Sequence, residues 1–244
     1  VGGTLEERQG TVTFEGSNIQ NIAGNPNETF YNLTINKSGG QVQPNAGTGL
    51  AITRDFSILT GSTFRLQGND FTVSGNSIIS GLLEDNNTNG ANSLQALDLS
   101  GGTIDFTIAP GVEGITAGDL TLSSGDGIIG ENVQLRINGT TIISSSCSLS
   151  FNGLNGSKTF VGLITNNGTW DNAINEIISS IRGGIQNNGV FVSGTSSYTF
   201  NNANQVISGS QPLTFEGTVN VTGITVNNQN TVTIGGALSG TGTW

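Results

Sequence analysis

The sequence predicts an all-β fold, a parallel β-helix (β-solenoid), on two observations. First, short runs alternate apolar and polar residues, as in residues 103–108 and 231–234, which is the period-2 pattern of strands with one buried face. Second, residues 11–30 realign on residues 197–215 with a single gap. Short strands that recur with a period of roughly 20 residues predict about twelve stacked coils, in one solenoid domain over residues 1–244. A β-sandwich would account for the strands but not for the repeat.

The turns between these strands are rich in glycine and asparagine. Glycine supplies 38 of the 244 residues, and Asn-Gly steps occur at 138–139, 167–168 and 188–189 among other places. Both residue types adopt positive φ angles and tight turns easily. A flexible linker shares this composition, but here 34% of the residues are hydrophobic and gather in runs of strand formers. This clustering indicates a folded chain.

Several apolar residues have a predicted place in the fold. The eleven phenylalanines lie within the alternating strands and are expected to stack in the core. Cys147, the one cysteine, has serines on both sides and is expected to be a small buried strand residue. Residues 173–181 carry apolar side chains at positions 173, 174, 177, 178 and 181, and this spacing predicts a short helical insert.

The charge and the missing residue types exclude several functions. The chain carries 17 acidic and 7 basic residues, a net charge of −10, which argues against binding to nucleic acids and to anionic membranes. It has no histidine and one cysteine, so zinc sites and Ser-His-Asp or Cys-His catalysis cannot be built from it. No apolar run is long enough for a membrane helix. No signal peptide opens the sequence, as expected if export removed it or if the chain is a segment of a longer protein.

Two stretches resemble a known kind of repeat. The sequences GTVTFEGSNIQNIAG and TFYNLTINKSGG, within residues 10–40, and the stretch from residue 198 to residue 244 resemble the Gly/Asn/Thr-rich solenoid repeats of large secreted surface proteins and adhesins of Bacteroidota. More distantly, they resemble filamentous-haemagglutinin-type adhesins. The likeness covers residues 10–108 and 187–244. It implies a rod at the cell surface or outside the cell, built of many such units, and it implies no catalytic residues.

Acidic residues that recur at a constant spacing form a candidate site. If the local coil has about 21 residues, Glu84, Asp105 and Asp126 form one column, and Asp98 and Asp119 form a second. Carboxylates stacked roughly 4.8 Å apart repel one another unless a cation or a raised pKa relieves them. Clustered oxygens suit Ca²⁺, and paired carboxylates also suit glycoside cleavage. The alternative is that coil lengths drift and the acids point separately into solvent.

The C-terminal part of the sequence is a candidate self-assembly edge. The repeat composition continues through Thr231, Val232, Thr233 and Ile234 to the apolar Trp244. The first ten residues are more polar and are expected to form a modest cap. Because uncovered strands template pairing with another chain, the predicted partner is an identical copy stacked head to tail or more of the same polypeptide.

Together these observations predict a structural protein and not an enzyme. The expected role is an extracellular or cell-surface β-solenoid that serves as a stalk, an adhesin segment or a self-assembling filament subunit. No cofactor is expected apart from calcium at the acidic column. The alternative is a β-helix protein that binds or cleaves polysaccharides, with surface glycans as partners and the acids at 84, 98, 105, 119 and 126 as the only catalytic candidates.

Overall fold

The computed structural model of the protein describes residues 9–24, 26–87, 90–106, 114–130, 132–153, 155–174 and 178–244. Within these residues the chain forms thirty β-strands and no helix, and the parallel strands stack as a β-solenoid of about ten turns. The predicted all-β solenoid is therefore confirmed, and the number of turns is close to the predicted one. No helix that could span a membrane is found in this part of the chain.

Each turn places one strand on each of three faces. The first face holds the strands that open the turns: β1 (Thr11–Gly16), β4 (Asn32–Lys37), β7 (Phe56–Ile58), β16 (Thr141–Ile143), β19 (Ile164–Asn166), β22 (Ile185–Asn187), β25 (Gln205–Ser208) and β28 (Val226–Asn228). The second face holds a nine-stranded sheet of β2 (Gln20–Ile22), β5 (Val42–Pro44), β8 (Thr63–Arg65), β10 (Leu82–Asp85), β12 (Thr103–Phe106), β14 (Asp126–Gly130), β17 (Ser148–Asn152), β20 (Thr169–Asp171) and β23 (Val190–Val192). A separate two-stranded sheet of β26 (Leu213–Phe215) and β29 (Val232–Ile234) follows it.

The third face closes each turn. It holds β3 (Asn27–Phe30), β6 (Gly49–Ile52), β15 (Gln134–Ile137), β18 (Lys158–Phe160), β21 (Ile178–Ile181), β24 (Tyr198–Asn201), β27 (Val219–Thr222) and β30 (Leu238–Gly240). Three long strands belong to two faces: β9 (Phe71–Ile79), β11 (Ala91–Asp98) and β13 (Gly114–Leu122) leave the third face of one turn and continue on the first face of the next.

Neighbouring turns pair in parallel, but the turns are unequal in length. On the second face Leu82 on β10 pairs with Thr63 on β8. The next turn is longer, since Thr103 pairs with Leu82, and the one after it is longer still, since Ile128 pairs with Thr103. The connections between strands absorb the extra residues, so the inward and outward alternation of side chains continues from turn to turn.

The apolar side chains point inward from all three faces and fill one continuous core. Nine of the eleven phenylalanines are buried, and Phe14 and Phe191 are half-buried against the core, so their predicted interior position is confirmed. Trp170 lies against Phe151 with ring centroids 4.8 Å apart and is stacked on Phe191 at 5.7 Å. Aromatic rings prefer such tilted and offset arrangements. Cys147 is 4% exposed, as predicted, although it directly precedes β17 rather than lying within it.

The predicted helical insert at 173–181 is wrong. Residues 178–181 form strand β21, residues 173–174 lie in a turn, and residues 175–177 fall outside the described residues. Ile178 pairs with Tyr198, and Ile181 pairs with Phe200, so three steps along β21 match two along β24. This β-bulge turns both isoleucines into the core. The bulge therefore produces the same spacing of apolar side chains that a helix would show.

Asparagine ladders hold the turns together at their corners. The Asn-Asn-Gly turn at 166–168 stacks on the one at 187–189: Asn166 Nδ2 donates to Asn187 Oδ1 at 2.8 Å, and Asn188 Nδ2 donates to Asn167 Oδ1 at 2.9 Å. At Gly189 a Cβ would overlap the carbonyl oxygen of the turn below. Only glycine allows the two turns to approach this closely.

Asn187→Ala should lower the free energy of unfolding by about 1–3 kcal/mol, because the side chain is fully buried and its hydrogen bonds to three backbone carbonyl oxygens are lost. Its Nδ2 donates to the oxygens of Gly189, Gln211 and Pro212 at 3.0–3.3 Å. Urea unfolding followed by tryptophan fluorescence measures the loss. Asn188→Ala is the matched control and should cost less, because Asn188 is half-exposed and water replaces its contacts. Equal losses for the two variants would contradict the ladder.

Candidate functional site

The structure brings two of the three predicted column residues together on the second face. Glu84 on β10 is in register with Asp105 on β12, one turn away. On its other side Glu84 is in register with Arg65 on β8 and forms an ion pair with it, with Nη2 and Oε1 2.7 Å apart. Arg65 Nε also donates to Oε1 at 2.8 Å. The positive charge next to Glu84 is therefore supplied by the chain itself.

Asp126 does not join this row, so the predicted column of three acids is wrong. The turn that follows Asp105 is longer than the one before it, and Asp105 consequently faces Gly130, while Asp126 pairs with Ser148. The second predicted column, Asp98 with Asp119, is wrong for the same reason, because the turn between these two strands is longer than the uniform repeat that the prediction requires. Asp98 is in register with Thr121, and Asp119 pairs with Ala96 instead.

Within the described residues, no group of three or more acidic or cysteine side chains lies close enough together to hold a metal ion. Two acids of the second predicted column cap neighbouring turns instead. Asp119 Oδ1 accepts from the backbone N of Thr140 at 2.6 Å and from its hydroxyl at 2.9 Å. Asp98 Oδ2 accepts from the hydroxyl of Ser123 at 2.7 Å. These acids are hydrogen-bonded across turns rather than pointing freely into solvent.

The charge of Asp126 acts on Cys147. Burial raises the pKa of the Cys147 thiol, and the negative charges of Asp126 and Asp98 raise that pKa further. A raised pKa lowers the fraction of thiolate, which is the reactive form. Cys147 is therefore a structural residue of the interior.

The third face carries a shallow groove of about 630 Å³. Small residues open it, since Ala91 on β11 is in register with Gly114 on β13, which in turn faces Gln134 on β15. A second hollow of about 390 Å³ continues the groove and shares two lining residues with it. The polar lining of the groove includes Ser93, Thr116, Gln134, Arg136, Ser157 and Thr159.

Arg136 is the one charged side chain among the described residues that line this groove. The side chain is exposed, and its Nε donates to Asn138 Oδ1 at 2.7 Å. This groove is not evident from the sequence, because Ser93, Thr116 and Arg136 come together only through two turns of unequal length. The only sequence signal is a recurrence of small polar residues, which is also typical of ordinary outward strand positions.

The predicted edge residues lie in the last described turn. Val232 and Ile234 belong to β29 and are half-buried against the core, whereas Thr231 and Thr233 are exposed. Trp244 is half-buried and packs on Phe200 with ring centroids 5.9 Å apart. Self-assembly at this edge stays a prediction.

Comparison of the chain with family models, with curated proteins and with solved structures gives no match.

The pKa of the Cys147 thiol should be higher in the folded protein than in the unfolded chain. The ¹³Cβ chemical shift of Cys147, followed over a range of pH, measures both values. Asp126→Asn should lower the folded-state pKa, because it removes a charge that disfavours the thiolate. Asp105→Asn removes the same charge elsewhere on the solenoid and serves as the control, with no change expected. A midpoint in the folded protein at or below that of the unfolded chain would contradict the assigned environment.

Proposed function

We propose that this chain is a structural, non-enzymatic segment of an extracellular β-solenoid rod, which acts as a surface stalk, adhesin segment or filament subunit. The observation that supports this proposal most directly is the state of β29 and β30 in the last described turn, each of which pairs with a strand on one side only. The third strand of this turn, β28, is partly covered by the end of the chain, because Val226 N donates to Thr243 O at 2.8 Å. The described stack begins with β1, β2 and β3 and ends with β28, β29 and β30, with one strand on each of the three faces at either end.

The backbone groups of β29 define this open side. Leu213 N donates to Thr231 O at 2.9 Å, and Gly235 N donates to Phe215 O at 2.7 Å, so these groups point to the preceding turn. Alternate residues of a parallel strand point their backbone groups to opposite sides. Those of Val232 and Ile234 therefore point to the side on which a further turn would lie.

Apolar side chains accompany the open backbone groups. Leu238 on β30 is in register with the buried Val219 and yet is 51% exposed, because no described turn covers it. At the opposite end Val12 and Phe14 on β1 are half-buried against the core, and Ile19 is 59% exposed. Apolar surface of this kind is stabilised when another surface covers it.

The proposed partner is a further solenoid turn, supplied either by an identical copy or by more of the same polypeptide. The two ends of a parallel solenoid present different surfaces, so copies would stack head to tail. Head-to-tail contacts do not close into a ring, and repeated stacking gives a filament. The extracellular setting is supported by the resemblance to secreted repeat proteins and by a net charge of −10, which favours solubility.

Glycan binding is the second candidate function, and the groove on the third face supports it. The geometry does not favour the corresponding cleavage reaction. Asp105 and Asp126 do not face one another, and Glu84, the acid in register with Asp105, forms an ion pair with Arg65.

Leu238→Lys should abolish end-to-end association of the chain, because a charge on the inward side of the last turn opposes apolar stacking. Light scattering over a range of concentrations and electron microscopy measure rod length. The matched control is Ser239→Lys, which adds the same charge to the same strand at an outward position, in register with Asn220, and should still associate.

Two results would contradict stacking between copies. One is an unaltered chain that stays monomeric at every concentration while its backbone amides in β29 and β30 resist hydrogen exchange, which would show that this edge is already covered. The other is equal loss of association in the Leu238 and Ser239 variants, which would indicate a general effect of charge.

A further inference from the structure

We propose that the groove on the third face binds an acidic polysaccharide, a chain of sugar units that carry hydroxyl groups and carboxylates, with Arg136 as the residue that holds a carboxylate. This inference rests on the second candidate function, glycan binding, and names its ligand class. It is independent of end-to-end stacking, because the groove lies on the side of the solenoid and not at its ends.

The groove has the shape for an elongated ligand. Strands β11, β13, β15 and β18 belong to successive turns and form its floor, so it extends along the solenoid axis at about 4.8 Å per turn. The adjoining hollow shares Ser93 and Thr116 with it and continues the surface towards Thr72 on β9. A linear chain of several units fits such a surface better than a single compact molecule does.

The lining chemistry favours a sugar chain over a peptide. The side chains of Ser93, Thr116 and Thr159 present hydroxyl groups, and that of Gln134 presents an amide, all of which both donate and accept hydrogen bonds. Sugar hydroxyls have the same dual capacity. An extended peptide binds a sheet through an open backbone edge, whereas the backbone groups at this floor are engaged in pairing with neighbouring turns.

Arg136 supplies the preference for an anion. A guanidinium forms paired, charge-assisted hydrogen bonds with a carboxylate, and none of the described lining residues is acidic. Two acids adjoin the lining, and both are hydrogen-bonded. Asp70 Oδ1 accepts from the backbone N of Ala91 at 2.8 Å, and Asp119 Oδ1 accepts from Thr140 at the corner of the solenoid. The repulsion expected from the net charge of −10 is screened beyond about 10 Å at moderate salt. A local contact to Arg136 persists under the same conditions.

The test is a titration of the folded chain with three hexasaccharides, followed by two-dimensional NMR and isothermal calorimetry. The probes are hexagalacturonate, the neutral cellohexaose, and a sulfated hexasaccharide that lacks carboxylates. Saturable binding of hexagalacturonate is expected, with shift changes at Ser93, Thr116 and Thr159. Arg136→Gln should weaken that binding about tenfold or more, the effect of one charged hydrogen bond, and should leave the weaker binding of cellohexaose unchanged.

Two further variants sharpen the test. Arg54→Gln removes the same charge outside the groove, where Arg54 lies over the Tyr31 ring at 5.9 Å, and should leave the affinity for hexagalacturonate unchanged. Ser93→Tyr places a ring at the residue shared by both parts of the groove and should abolish binding of every probe. Tyrosine suits an exposed strand position, and circular dichroism checks that this variant folds.

The proposal is overturned if hexagalacturonate does not bind, if its shift changes lie on another face, or if Arg136→Gln and Arg54→Gln weaken binding equally. Tighter, Arg136-dependent binding of the sulfated probe would overturn the assignment of a carboxylate.

Discussion

The parallel backbone ladder between successive turns is the interaction on which the rest of the structure depends. It stacks the turns at about 4.8 Å and thereby decides which side chains become neighbours. Inside the core, Phe56 packs against Phe71 from a different face, with ring centroids 4.9 Å apart. At the corners, Asn166 donates a hydrogen bond to Asn187 of the next turn. The aromatic core, the asparagine ladders and the rows of surface side chains all follow from this stacking.

Turn length is the variable that shapes the surface. A short turn places Arg65 next to Glu84, where an ion pair forms, and a slightly longer turn places Asp105 on the other side of Glu84. The still longer turn that follows ends the row, since Asp105 faces Gly130. On the third face, the coincidence of Ala91 and Gly114 in register opens the groove. Candidate sites therefore depend on the lengths of the connections as much as on the residues themselves.

The sequence contains enough information for the fold class, the approximate period and the buried phenylalanines, because alternation and turn residues are local signals. The pairing register of the strands cannot be read from these local signals. The repeat that relates Phe14 to Phe200 compares a strand of the first face with one of the third face, since the three faces are chemically alike. The same limit applies to the acidic column, whose prediction requires turns of equal length, and to β21, where a bulge produces the spacing of apolar residues that is typical of a helix.

Nuclear Overhauser contacts between backbone protons on the second face report directly on the parallel stacking of unequal turns. Asp105 is the most informative residue, because it lies between two neighbouring turns of different length. Contacts are expected from Asp105 to the strand positions of Glu84 and Gly130, with none to Asp126. Contacts between Asp105 and Asp126, as a repeat of uniform length requires, would show that the turns do not stack in this way.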